Sequence, residues 1–300
     1  MRADALDCRG RLLEFDVPRI MGVLNITPDS FSDGGRYLSL EPSQKGPGRE
    51  RVELNAVVDA ASAMLEDGAD ILDVGGESTR PGAAHVSAAQ ELDRVMPVVE
   101  ALLKLDTIVS VDTSNALVAQ ETLHTGVHLI NDVRALQQEG MVDNVIESGA
   151  AVCLMHMQGE PRTMQEQPFY KDVLEEVREF LVGRVRKCRA AGIAHGRIAL
   201  DPGFGFGKTL DHNLKLMKRL DELVACEETF NRPLLVGVSR KRSIGEITGR
   251  SALERDTGSA VMAAFAVQQG AAIVRAHNVG ATRDAIRVAE ALRTERACCG

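Results

Sequence analysis

Two textures alternate along the chain. Short apolar, β-branched runs at 20–24, 70–74, 107–111, 128–130, 151–155, 197–200, 234–238 and 272–274 are separated by longer stretches with helical spacing and a charged face. The helical stretches include 53–67, 88–103, 114–125, 172–191, 210–226, 252–269 and 282–292. Ser114, ahead of Asn115 and Ala116, is a start signal, and Gly68, Gly126, Gly192 and Gly270 stand just past helix ends. Strands that are apolar along their whole length, each followed by a helix, imply a parallel sheet covered on its outer face. Eight such repeats predict an α/β fold, a (β/α)8 TIM barrel, as a single domain over 19–296. A doubly wound sheet would carry a GxGxxG turn after its first strand, and here Gly22 leads into Asn25-Ile26-Thr27 without one. Within an extension over 1–18, residues 6–15 with Arg9-Gly10 at their middle predict a hairpin across the barrel's bottom. Residues 39–51, rich in Pro, Gly and Ser, predict a mobile loop, and 297–300 a short tail.

Composition narrows what such a barrel handles. With 300 residues and 44% hydrophobic content the chain can bury a large core. A net charge of -8, no Trp and 3% aromatics exclude a nucleic-acid surface, which needs basic charge and stacking rings. No run is long enough for a membrane span, and the N-terminal MRADALDCRG has no apolar leader stretch, so the expected location is cytoplasmic. The six cysteines, Cys8, Cys153, Cys188, Cys226, Cys298 and Cys299, have no CxxC or metal spacing and are expected to be idle thiols.

In this fold the reactive face is the rim where strands hand over to helices. Every run ends in polar residues: Asn25, Asp73 with Glu77, Asp112, Asn131, His156, Asp201, Ser239-Arg240-Lys241, and Arg275 with His277. One Asp or Asn at a strand end can simply cap the next helix; eight polar ends together exceed what capping requires. The stretch Asp201-Pro202-Gly203-Phe204-Gly205-Phe206-Gly207-Lys208-Thr209 is one residue short of a phosphate loop and has Pro202 at its first glycine, so its glycines are expected to bring backbone close to a flat ligand. Residues 27–35 and 77–82 have the make of lids that order on substrate. Neither a His/Cys/carboxylate set with zinc spacing nor a nucleophile elbow is present, which argues against covalent catalysis.

The segments 21–35 (MGVLNITPDSFSDGG) and 71–82 (ILDVGGESTRPG) resemble the two signature segments of the dihydropteroate synthases. The likeness continues through Ser110-Val111-Asp112-Thr113, Asn131-Asp132-Val133, His156-Met157-Gln158-Gly159, 201–208, Ser239-Arg240-Lys241 and Arg275-Ala276-His277. It implies condensation of 6-hydroxymethyl-7,8-dihydropterin pyrophosphate with 4-aminobenzoate, giving 7,8-dihydropteroate and pyrophosphate with Mg2+, usually in a homodimer packed through its last helices, and competition by sulfonamides. Carried over, Asp112, Asn131, Asp201 and Lys241 would hold the pterin edge beside Met155, and Arg275 would stack on its face. Asn25 would bind the metal, and Arg275 with His277 would face the pyrophosphate. Thr79, Arg80, Pro81, Phe206, Lys241 and the start of the following helix would form the 4-aminobenzoate pocket. Two positions depart from the family pattern: Arg242 where Ser is common, with Ser243 next, and Asn278 where Asp is frequent. Two rivals remain. A barrel methyltransferase passing a folate methyl group to a corrinoid would share the pterin positions but has no need of 27–35, the Phe-bearing glycine stretch or Arg275-Ala276-His277. A catalytically idle pterin-binding paralogue sits poorly with every expected polar position being filled.

Overall fold

The computed structural model describes residues 4–28, 37–41, 49–79, 83, 86–225 and 232–294. Two short strands come first, β1 (Ala5–Cys8) and β2 (Arg11–Glu14), paired antiparallel around Arg9 and Gly10, both at positive φ. That is the predicted hairpin, with a turn whose two left-handed residues match the strands' twist. The barrel then runs β3 (Arg19–Asn25), the arms β4 (Leu38–Glu41) and β5 (Arg49–Val52), α1 (Leu54–Glu66), β6 (Ile71–Gly75), α2 (Ala88–Leu102), β7 (Ile108–Asp112), α3 (Ala116–Thr125), β8 (Leu129–Asp132), α4 (Met141–Ser148), β9 (Ala151–Met155), α5 (Val173–Ala190), β10 (Ile198–Asp201), α6 (Leu210–Lys218), α7 (Leu220–Val224), β11 (Leu235–Val236), α8 (Arg242–Thr248), α9 (Asp256–Gln268), β12 (Ile273–Ala276) and α10 (Val279–Thr294).

Eight strands pair in parallel in the order β10-β9-β8-β7-β6-β3-β12-β11. A parallel bridge between Leu200 and Leu234, with the Leu200 amide donating to Pro233 O at 3.0 Å, joins the two ends and closes the barrel. Its lower interior is filled by Met21, Ile71, Ile108, Leu129, Ala151 and Ala199, and Leu6, Cys8, Leu13 and Phe15 of the hairpin plug it from below. Burying each of those large side chains stabilises the fold by roughly 1.5–3 kcal/mol, so the polar chemistry is confined to the opposite end. Cys8, Cys153 and Cys188 are buried free thiols.

Local chemistry explains where the elements depart from the expectations. Of residues 39–51, expected as a mobile loop, 42–48 lie outside the described residues; the flanks 39–41 and 49–51 pair within β4 and β5, and Arg94 of α2 holds Glu50 through two bonds of 2.7 and 2.9 Å. The helix expected over 210–226 breaks at Arg219, whose backbone leaves the helical region and whose guanidinium reaches Asp172 and Glu222. The stretch 252–269 begins as a single 3-10 turn closed by a Ser251/Glu254 capping box, and α9 starts only at Asp256. The last helix begins at Val279, earlier than 282. At α3 the cap is Asn115, accepting from the Leu117 and Val118 amides, while Ser114 donates to Asp132. The helices α4 and α8 are eight and seven residues long, too short for a 3.6-residue period to stand out.

Candidate active site

At the upper end of the barrel, charge replaces the apolar filling. Asp73, at the centre of an otherwise apolar β6, is completely buried. In the strand register it lies opposite Ser110 of β7, which donates to its Oδ1 at 2.5 Å. Its Oδ2 accepts from Asn131 Nδ2 of β8 at 3.1 Å and from Arg275 Nε of β12 at 2.6 Å. Arg275 Nη2 then donates to Asp112 Oδ2 of β7 at 2.9 Å. Four strands are thereby tied through one cation and two carboxylates. A buried charge is tolerated only with such partners, so the network also sets where Arg275 points. Burial works against the Arg275 charge, but Asp73 and Asp112 outweigh it and raise its pKa. Burial pushes Asp112 up to about 7, against the pull of Arg275.

A second group faces it from β9–β11. Asp201, paired in register with the buried Met155, accepts from the Gly203 amide at 2.7 Å. Burial raises its pKa, opposed by Lys241, and burial likewise lowers Lys241 to about 8. Lys241 Nζ donates to Phe204 O at 2.5 Å and lies 4.6 Å from the centre of the Phe206 ring. The glycine stretch is held from beneath by Lys208, whose ammonium meets Gly203 O at 2.9 Å, Phe206 O at 3.1 Å and His156 Nδ1 at 2.9 Å. Since Lys208 is wholly engaged by these groups, the stretch works as a fold of backbone above β9 and β10. Gly203 has a φ of +70°, and a Cβ there would run into the carbonyl oxygen of His156. Burial and the neighbouring Lys208 drive the His156 pKa down to about 2, so its ring is neutral and Nδ1 accepts from the ammonium.

Around these two groups stand the remaining candidates. Asn25 closes β3, and its Oδ1 flanks Gly75 together with the Asp112 side chain: a Cβ on Gly75 would lie 3.6 Å from each. The missing side chain leaves a small cradle between the Asn25 amide oxygen and the Asp112 Cβ. His277 bonds Ser239 Oγ through its backbone amide at 3.1 Å and through Nδ1 at 3.0 Å. A cavity of about 460 Å³ opens beside Asp112 and is lined by Glu77, Thr79, Thr113, Val133 and Arg162 among others. Asp112 is thus the wall common to this cavity and the charged network. Arg80, Pro81, residues 29–35 and most of 80–85 lie outside the described residues, so of the two expected lids only 27–28 and 77–79 are described. Among the described residues no cluster of three or more His, Cys, Asp or Glu could hold a metal.

The two departures from the family pattern both find structural employment. Arg242 points outward, 81% exposed, and pairs with Glu246 one turn along α8. Asn278 donates to Asp256 Oδ2 at 3.0 Å and accepts from the Ala281 amide at 3.1 Å, which ties the start of α10 to the Arg240–Asp256 pair. In the sequence Asp73 is a strand end and Ser110 and Lys208 stand inside the quoted motifs, with no role attached to any of the three. A charge inside an apolar run was the available signal for Asp73, because only a buried partner makes it tolerable. Nothing in the sequence revealed that Lys208 folds back beneath its own loop.

The model of the pterin binding enzyme family matches residues 21–277. The dihydropteroate synthase of Escherichia coli K12 is 47% identical over 287 residues, covering 95% of each chain. A crystal structure of the Yersinia pestis dihydropteroate synthase with a sulfonamide drug complex superposes with a TM-score of 0.88 at 45% identity, covering 97% of this chain and 100% of that one. The Burkholderia cenocepacia dihydropteroate synthase, complexed with 7,8-dihydropteroate, gives a TM-score of 0.85 at 40% identity, with 98% of both chains covered.

Proposed function

Because the chain belongs to the dihydropteroate synthases within the pterin binding enzyme family, we propose that its charged barrel mouth is the site where this transferase does its work. It condenses 6-hydroxymethyl-7,8-dihydropterin pyrophosphate with 4-aminobenzoate, releasing pyrophosphate and 7,8-dihydropteroate. The observation that carries the assignment of the site is the convergence of Asp112, Asn131, Asp201, Lys241 and Arg275 from five different parts of the chain onto one end of the barrel.

Asp112, Asn131 and Asp201 offer acceptors and an amide to the pterin's guanidine-like edge, Lys241 donates to its carbonyl side, and Met155 packs against the ring. Arg275, held by Asp73 and Asp112, lays its planar guanidinium on the pterin face. Loss of pyrophosphate leaves positive charge on the exocyclic carbon and the ring, so charge separation is what the site stabilises. The carboxylates of Asp112 and Asp201 offset the ring, and Arg275 with His277 offsets the departing anion. The aromatic amine attacks as the neutral base it already is at pH 7, which removes the need for a strong general base. Thr79, Phe206 and the Lys241 stem serve as its pocket, to which the family resemblance adds Arg80 and Pro81, outside the described residues.

Magnesium fits the cradle beside Asn25, where one neutral amide oxygen leaves the remaining positions to water and substrate phosphate oxygens, a donor set this hard cation prefers. Bound there, it supplies positive charge toward the diphosphate. A homodimer through α9 and α10 is supported by their exposed Val261, Phe265, Val288 and Leu292. No helix among the described residues is long and apolar enough to cross a membrane.

Incubation with both substrates and Mg2+ yields pyrophosphate and a pterin-aminobenzoate adduct, and sulfonamides compete with 4-aminobenzoate. Binding of the pterin pyrophosphate without formation of either product would end the proposal.

A further inference from the structure

Glu91, in the first turn of α2, is 1% exposed and its Oε1 has no hydrogen-bond partner. It lies against the turn that leads from β6 to Thr79: a Cβ on Gly76 would stand 3.0 Å from Glu91 Cγ. The Thr113 hydroxyl, next to Asp112, donates to its carboxyl group. The charged groups facing it are Glu77, Arg94 and Asp112. Two of the three are acidic, and Arg94 is already committed to Glu50 and, at 2.7 Å, to the carbonyl of Gly76. An ionised carboxylate here would be a buried charge without a dedicated counter-ion, which costs several kcal/mol. Burial accordingly raises its pKa to about 7, opposed by the Thr113 bond.

We infer that Glu91 acts as an uncharged positioning residue, bracing the Gly76–Thr79 turn and Thr113 so that Thr79 and Asp112 face the same cavity. Arg94 holds the turn through its carbonyl while Glu91 fills the space behind Gly76, and the two are successive contacts of a single helical turn. Thr79 belongs both to this cavity and to the pocket proposed above for 4-aminobenzoate, and the inference rests on that reading. A neutral acid can do this next to Glu77 and Asp112, whereas an anion would repel both.

Steady-state kinetics of the full chain with Glu91→Gln, Glu91→Asp and Glu91→Ala, alongside thermal melts, tests it. The Gln variant, an isostere of the protonated acid, should keep both KM values. The Ala and Asp variants should raise the KM for 4-aminobenzoate by about tenfold or more, as expected for a misplacement of order 1 Å, with the KM for the pterin pyrophosphate unmoved. If Glu91→Ala does not fold, the contrast between Gln and Asp decides. A Gln variant as impaired as Asp, or variants that lower the melting temperature and leave the KM for 4-aminobenzoate unchanged, would overturn the inference. Absence of turnover in the unaltered chain would instead remove the proposed function, and this inference with it.

Discussion

Replacing Asp73 by Asn changes one atom type at the centre of the charged network. The Asp73 carboxylate accepts from Ser110, Asn131 and Arg275, and its charge is one of two that compensate Arg275. Removing one member of a buried ion pair typically costs about 3–5 kcal/mol when the other charge is left uncompensated. Arg275 retains Asp112 at 2.9 Å, which offsets about half of that, so the expected loss is about 2 kcal/mol. For a domain of this size that is a fall of roughly 5 °C in melting temperature. Urea unfolding followed by circular dichroism measures the first quantity and calorimetry the second. The control is Asp106→Asn, whose side chain is fully exposed against Arg11 and which should produce no measurable change. Calorimetric titration with a pterin should show weaker binding by Asp73→Asn, since Arg275 is then drawn toward Asp112 and away from the ring. An Asp73→Asn variant indistinguishable from the unaltered protein in both stability and pterin affinity would refute the idea that Asp73 sets the position of Arg275.

Two further outcomes follow from the site. Asp112 has an ordinary pKa of 3.8 and a folded-state value of about 7, so the folded chain holds the extra proton across that window; its contribution to stability falls as pH rises from the lower value to the upper. If Asp112 accepts from the pterin as proposed, binding needs its ionised form and should weaken about tenfold per pH unit below 7, a dependence made shallower by Asp112→Asn and checked by titration calorimetry. Gly203→Ala combines a left-handed backbone with a collision against the His156 carbonyl and should cost more than about 2 kcal/mol, whereas Gly249→Ala, at a φ of +72° with open space around it, should cost only about 1–2 kcal/mol; equal losses in denaturant unfolding would contradict the packing described for the glycine stretch.

Period and polarity were enough to derive the barrel, its bottom hairpin and the end at which the polar side chains gather. Eight fully apolar strands alternating with helices admit few other arrangements, and the polar residue after each run lands on the rim by the fold's own geometry. The resemblance added the names of the groups that meet there. What needed the tertiary structure was pairing. Asp73 and Arg275 are 202 positions apart, and nothing local to either reveals that they share a hydrogen bond. The same holds for Glu91, an unremarkable residue in a helix's first turn until the folded chain closes over it and leaves one oxygen without a partner. Burial and partnership, which decide whether a carboxyl group carries a charge or a proton, arise only when distant segments exclude water together. Residue type along the chain therefore determined which groups could react, and the closed barrel decided in which protonation state, and against which neighbours, they stand.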